Sequence, residues 1–394
     1  MQLVLFGLGF ILFIGLILAH EWGHLVAARR AGVKVKEFGL GFPPRATSRK
    51  LKSGMVLSLN WLPLGGFVRL KGEHSYDDRP GSFGAARLKS KVKILLAGVA
   101  ANLAIGLVLL TILAATGLPT IFDKSSAGQD QFNIARDSKL VKTYVYVQDI
   151  QPGSPAAQAG LVDQDVIESV ATASQTRVVS STDQLRQATM AFGGQKVMIT
   201  IKHKNKQEVL RANLLSPAIV KSSLNSNQPK GYLGVVTTDI QVRRSTWSAP
   251  IVAVGLTGQL AELTAKGIWH AIQGLGSTVA GGISRNHIAR ENGQTEASSQ
   301  TGGPVAVAAI LWSSGALGIN FVVMVIAVVS LTLALINALP IPALDGGRLF
   351  IILLFKLIKR PLKPSTEDRI HGTRMTVLLV LFALITIVDV KRFF

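Results

Sequence analysis

Cysteine is absent from all 394 residues, so the chain forms no disulfide and offers no thiolate to a metal. Any metal site must therefore be built from histidine and carboxylate. Acidic residues are scarce, 22 against 42 Lys and Arg, and the formal net charge is +20. The basic residues form no recognition motif, so nucleic acid is not an expected partner. Charge of either sign is missing altogether from Leu3 to Ala19, a run with the length and polarity of a membrane span. No Lys or Arg precedes that run and no small-residue cleavage pattern stands before His20. It is therefore expected to be a retained first span and not a removed signal peptide.

What is present is apolar: 48% of the residues are hydrophobic, with a mean hydropathy of +0.38. That is too apolar for an ordinary soluble protein and too mixed for a wholly membrane-embedded one. The length allows two or three units. Arg29, Arg30, Lys34 and Lys36 follow the first apolar run, Arg87, Lys89, Lys91 and Lys93 precede the second, and Lys356, Lys359, Arg360 and Lys363 precede the last. Short basic loops at one set of span ends are the positive-inside signature, with anionic lipid of the bilayer as counter-charge.

The first run ends in His20-Glu21-Trp22-Gly23-His24. A helix turns about 100° per residue, so residues four apart share a face. His20 and His24 can offer two imidazoles to one tetrahedral metal, and Glu21 stands where it can take a proton from a metal-bound water. His20 lies roughly 28 Å along the helix from Met1 at about 1.5 Å per residue. Ionisable residues at that depth in a bilayer are a functional hypothesis by default.

Residues 33–72 alternate short apolar runs with turn signals, and Met55–Leu59 and Phe67–Leu70 read as short strands. Such a β-rich loop can offer a strand edge to an unwound substrate, or be only a cytoplasmic hairpin. A second span is expected over about Ile94–Leu118, with Asn102 either lining the cavity or bonding another helix. After a polar linker come a strand at Tyr144–Val147, the small-residue stretch Gln151–Leu161, Asp165-Val166-Ile167, a helix over Thr182–Ala191 and a strand over Lys196–Ile201. This pattern, over about residues 143–215, resembles a PDZ domain, with Gln164-Asp165 where that family usually has Gly-Asp. There is one such unit and no second copy. Residues 216–245 read as connector broken by a strand near Gly231–Val236, and Ala249–Gly281 as interfacial amphipathic helices.

A third span over about Ile319–Leu339 leads into Asn337-Ala338-Leu339-Pro340-Ile341-Pro342-Ala343-Leu344-Asp345-Gly346-Gly347. Two prolines end regular helix and leave carbonyls free. Asp345 follows at the break as the best candidate for a third metal ligand, since a catalytic zinc takes three protein ligands and keeps one open position. A helix-capping role is the alternative for Asp345. Asn337 either bonds an unwound substrate backbone or satisfies the broken helix. A short fourth span is expected over about Met375–Val388.

The His-Glu-x-x-His run, Gly41-Phe42-Pro43-Pro44, Leu64–Glu73, the PDZ-like insert and Asn337–Gly347 together resemble the bacterial site-2 protease family. The resemblance implies a polytopic α-helical membrane protein with about four transmembrane helices, a membrane-associated β-rich loop and an inserted α+β PDZ domain. On that reading 1–30 is the first span, 31–90 the β-rich loop and cytoplasmic segment, 91–119 the second span and 143–215 the PDZ domain. Residues 216–318 form an extracytoplasmic connector with amphipathic helices, 319–348 the third span, and 349–394 a basic loop and the fourth.

The resemblance also implies Zn2+ bound by His20, His24 and Asp345, Glu21 as general base, and Asn337 and Pro342 as substrate-positioning residues. The implied substrates are single-span membrane proteins, such as pre-cleaved anti-sigma factors, or remnant signal peptides. A peptide or protein terminus is expected at the PDZ groove, which lies outside the bacterial inner membrane. Two other classes of protein share part of this pattern. A membrane-anchored zinc protease of misfolded proteins would normally take a downstream Glu as third ligand. A membrane scaffold would have no need of Glu21 between two histidines.

Overall fold

The computed structural model describes residues 1–73, 77, 79–122, 128–203, 206–225, 229–283, 304–341, 344–358 and 386. They divide into two compact units. One takes Met1–Gly7, Leu110–Ala253 and Leu311–Met324; the other takes the described residues of Leu8–Leu109, Val254–Ile310 and Val325–Phe394.

Helix α1 (Gln2–Arg30) is apolar on every side, as a helix facing lipid requires, with a mean hydropathy of 2.6 over its most apolar window. It stops after the basic pair Arg29 and Arg30. Gly32 adopts φ 76°, and Val33 N–H bonds back to the Ala28 carbonyl, the left-handed glycine cap that ends a helix.

The strands that follow are longer than the sequence pattern implies. Strand β1 (Val35–Lys50) pairs antiparallel with β2 (Val56–Leu70), and the two short strands expected at Met55–Leu59 and Phe67–Leu70 are the two halves of β2. Bulged registers let residues 37–40 pair on both sides, Leu40 facing Gly66 and Leu59. The partners of residues 37–40 descend from 69 to 66 on one side and ascend from 56 to 59 on the other, so the chain reverses at the Gly- and Pro-containing segments 41–44 and 61–65. Buried Glu37 stitches the hairpin through Arg45 at 2.7 Å and Arg69 at 3.2 Å.

Helix α2 (Leu88–Thr116) begins earlier than expected, because Lys89, Lys91 and Lys93 form its first turns. It ends at Gly117, φ 150°. Its buried face repeats every four residues: Ile94, Gly98, Asn102, Gly106 and Leu110.

The first unit is built on an antiparallel sheet of β3 (Leu118–Pro119), β4 (Lys139–Ile150), β5 (Val166–Ala171), β6 (Thr176–Val178), β7 (Lys196–His203), β8 (Lys206–Asn213) and β9 (Val235–Arg244), in the order β3-β9-β4-β5-β7-β8 with β6 beside β5. Short helix α3 (Pro155–Ala159) starts on Ser154, whose hydroxyl accepts from Ala157 N, and stops at left-handed Gly160. Helix α4 (Thr182–Ala191) is capped by Ser181 in the same way. A small helix α5 (Pro217–Ser223) follows β8. Val147, Ile167, Val170, Leu185, Ile199 and Leu233 pack the core.

The strand expected near Gly231–Val236 lies at Val235–Arg244. It pairs with β4 along its whole length, so the sheet extends past residue 215. Gln164 takes φ 75°, the left-handed conformation that a glycine would adopt without strain.

Helix α6 (Ala249–Ile283) is a single 35-residue helix where several interfacial helices were expected. Its one proline, Pro250, stands in the first turn, where no intrahelical N–H is needed. Helix α7 (Pro304–Leu317) falls within 216–318, the stretch expected to be connector with amphipathic helices. Gly318, φ 122°, separates it from α8 (Ile319–Ala338), which coincides with the expected third span. Helix α9 (Asp345–Leu357) follows. Among the described residues three helices are long and apolar enough to cross a membrane: α1, α2 and α8. The fourth span expected at Met375–Val388 lies outside the described residues apart from Thr386.

Candidate metal centre and active site

Two imidazoles one helical turn apart on α1 meet a carboxylate more than 300 residues later in the sequence. His20 Nε2 and His24 Nε2 each lie 3.1 Å from Asp345 Oδ2, and 3.1 Å from one another. A tetrahedral zinc with bonds of about 2.0 Å has ligand atoms roughly 3.3 Å apart. The three donor atoms therefore fit that group, and all three side chains are mostly buried. Among the described residues they are the group of His and acidic side chains able to hold a metal ion.

Local sequence explains how Asp345 reaches the histidines. The helix break delivers it as the first residue of α9, with Leu344 N–H turned back to the Ile341 carbonyl. Gly346 lets this turn press on the end of α8: a Cβ there would fall 2.5 Å from the Leu339 carbonyl oxygen and against that of Ala338. Arg348, one turn on, bonds Glu73 Oε1 at 2.5 Å and the Glu73 carbonyl at 2.9 Å, and stacks on Phe83 at 4.6 Å. Glu73 Oε2 in turn accepts from Leu70 N at 2.7 Å, which ties α9 to the end of β2.

The inner face of α2 supplies contacts that sequence patterning mostly missed. The Ile94 carbonyl accepts from His24 Nδ1 at 2.7 Å, which leaves Nε2 as the free ligand nitrogen. Gly98 is the floor of the site, since a Cβ there would sit 2.7 Å from His20 Nε2 and against His24 Nε2. Gly23 makes the helix crossing possible: a Cβ on it would meet the Ala97 carbonyl oxygen at 2.5 Å. Asn102 Nδ2 lies 3.5 Å from His20 Nδ1, and its backbone carbonyl accepts from Ser330 Oγ of α8 at 2.8 Å. Gly106 packs against Leu331 of the same helix. The available signal was the four-residue spacing of Gly98, Asn102 and Gly106.

Glu21 is half-buried beside His20. Strand β2 passes directly over it: a Cβ at Gly66 would stand 3.1 Å from Glu21 Cγ. Asn337 is half-buried in the last turn of α8, and Pro342 lies outside the described residues. The remaining described histidines are elsewhere, His203 paired with Asp165 at 2.6 Å and His270 exposed.

Comparison with known proteins agrees with this picture. The model for "Peptidase family M50" matches residues 8–382. A candidate zinc metalloprotease of Clostridium perfringens is 26% identical over 381 residues, covering 96% of each chain. One from Campylobacter jejuni is 27% identical over 388 residues, covering 96% of this chain and 90% of its own. The candidate protease eep of Enterococcus faecalis is 23% identical over 461 residues, covering 96% and 97%. Three apolar helices and this likeness together define an integral-membrane zinc metalloprotease. The chain belongs to peptidase family M50, the site-2 protease family.

Proposed function

We propose that the protein is an intramembrane endopeptidase that cuts single-span membrane proteins within or near their transmembrane segment, with His20, His24 and Asp345 as zinc ligands and Glu21 as general base. The observation that carries this reading is the 3.1 Å convergence of the three donor atoms, two of them on an apolar helix long enough to cross a membrane.

Zinc, when bound, supplies a Lewis acid that polarises a carbonyl and makes water acidic. Glu21 takes the proton of the attacking water and returns it to the leaving amine, while Ile94 and Asp345 keep the two histidines in place. A helical peptide bond is shielded by its own hydrogen bonds, so the substrate must unwind before attack. The edge of β2 around Gly66 lies against Glu21, which suits strand addition by an unwound segment. Asn337 and Pro342 hold that segment.

The substrates are proteins already shortened outside the membrane, such as anti-sigma factors, or remnant signal peptides. Residues 143–244 form a PDZ unit, in which the β9 edge from Val235 to Ile240 beside α4 receives a peptide or protein terminus. Supporting this, β3 pairs with β9 only at Val242 and Arg243, and a cavity of about 550 Å³ lined by Thr182, Thr237, Asp239 and Gln241 adjoins that edge. The membrane is the bacterial inner membrane, and the PDZ unit faces outward.

The test is reconstitution in proteoliposomes with a single-span substrate and mapping of the products by mass spectrometry. A cut inside or at the border of the substrate's apolar segment, faster when a helix-breaking residue stands nearby, is expected. Cuts confined to water-exposed loops would refute the intramembrane reading.

A further inference from the structure

The two histidines are not held alike. His24 has its Nδ1 hydrogen fixed on the Ile94 carbonyl at 2.7 Å, which directs the Nε2 lone pair to the metal position. His20 has the side-chain amide of Asn102 in the corresponding place, with Nδ2 at 3.5 Å from Nδ1. In that orientation the amide is a donor, His20 Nδ1 must accept, and the ring hydrogen is driven to Nε2. Nε2 is the atom that points at Asp345 and His24. A hydrogen there blocks metal binding.

The same amide carries an unmet need. Asn102 is 1% exposed, and its Oδ1 is buried with no hydrogen-bond partner among the described residues. A half-turn of the carboxamide exchanges its two ends at no cost in volume. The backbone of Asn102 does not move in that exchange, because its carbonyl is held by Ser330 Oγ at 2.8 Å and Ser330 is fully buried.

We infer that in the zinc-loaded enzyme Asn102 presents Oδ1 to His20 Nδ1–H and is the residue that sets the tautomer and orientation of that ligand. Asn102 thus does for His20 what the Ile94 carbonyl does for His24. It is a positioning residue, since it touches neither substrate nor metal. This inference rests on His20 being a zinc ligand.

Zinc affinity of the full-length, detergent-solubilised protein, measured by competition with a chromophoric chelator, tests it through Asn102→Leu, Asn102→Asp and His20→Ala. Losing a partner of a metal-bound histidine weakens affinity by about 10–100-fold. Asn102→Leu, of similar size but unable to accept, is expected to bind zinc that much more weakly. Asn102→Asp keeps an acceptor and is expected to bind at least as tightly as wild type. The d–d spectrum of the Co2+-loaded protein should be altered in the Leu variant and retained in the Asp variant.

Wild-type affinity in Asn102→Leu, or equal loss in the Leu and Asp variants, overturns the inference. Should the Leu variant fail to fold, the Asp variant decides alone, and weakened zinc binding there overturns it. His20→Ala separates the two levels of the argument: unchanged affinity in that variant refutes the ligand assignment itself, whereas a loss there without one in Asn102→Leu refutes only the role of Asn102.

Discussion

Gly98→Ala adds one methyl group to a span and should disable the metal site. The new Cβ would lie 2.7 Å from both Nε2 and Cε1 of His20 and closer still to His24 Nε2. Comfortable contact starts near 3.5 Å, so the His20 ring must retreat by roughly 0.8 Å and the His24 ring by more. Metal–ligand distances tolerate only about 0.2 Å. The rings have little freedom to retreat, because His24 is pinned to the Ile94 carbonyl and both face Asp345. Overpacking of this kind costs about 1–3 kcal/mol. Borne by the ligand geometry, that is about a 5- to 150-fold loss of zinc affinity. Chelator competition reads the affinity, and cleavage of a single-span substrate reads the consequence. Gly15→Ala on α1 is the control, since its Cβ meets nothing within 4 Å and should leave both readouts at wild type. A Gly98→Ala protein with wild-type zinc affinity and rate would refute the packing argument.

In the sheet-containing unit, Gln164→Gly should raise stability. The left-handed φ of 75° costs a non-glycine residue about 1–2 kcal/mol, glycine returns roughly 0.5–1 kcal/mol of that through the unfolded chain, and the exposed Gln side chain gives up no buried contact. Slower hydrogen exchange in β4 and β5 is the expected readout; faster exchange would contradict it. Asp137 accepts from Ser248 Oγ at 2.6 Å, from Thr246 Oγ1, and from the Thr246 and Ser248 amides at 2.8 and 3.1 Å, holding the chain where it enters α6. Those bonds keep its carboxyl below the usual value of 3.8, so its contribution is present above about pH 4 and is lost as pH falls through the lower folded-state value. Asp137→Asn should therefore lower the unfolding temperature near neutral pH, with the difference from wild type shrinking in acid; a difference independent of pH would count against the ion's role.

The legibility of this protein in its sequence follows from how far apart its contacts are. His20 and His24 could be read at once because their meeting depends on a local helical period. Asp345 could be read from the broken helix around Pro340 and Pro342, and its convergence on the histidines is a tertiary fact that only the structure supplies. The Ile94 carbonyl and Gly98 left no chemical signature, since one is backbone and the other has no side chain. Only their register with Asn102 on one face of α2 hints at them. Met55–Leu59 and Phe67–Leu70 are legible as two short strands because Gly and Pro mark the reversal between them. That residues 37–40 lie between 56–59 and 66–69 and pair with both has no local signature and is supplied by the structure. Helix α6 was broken up in the sequence reading because its polar residues dilute the apolar pattern, whereas a run without internal proline keeps its backbone ladder regardless. Gln164 shows the reverse case, in which a residue departs from the PDZ pattern while the backbone keeps the glycine-like conformation.

Glu21→Gln is the variant on which the account turns. Wild type and variant are purified side by side, their zinc content is measured, and both are given the same single-span substrate. Equal zinc in the two proteins, product from wild type, and a loss of at least about 100-fold in the variant are expected, the contribution typical of a general base. Equal rates with equal zinc would contradict the assignment of Glu21 as the base.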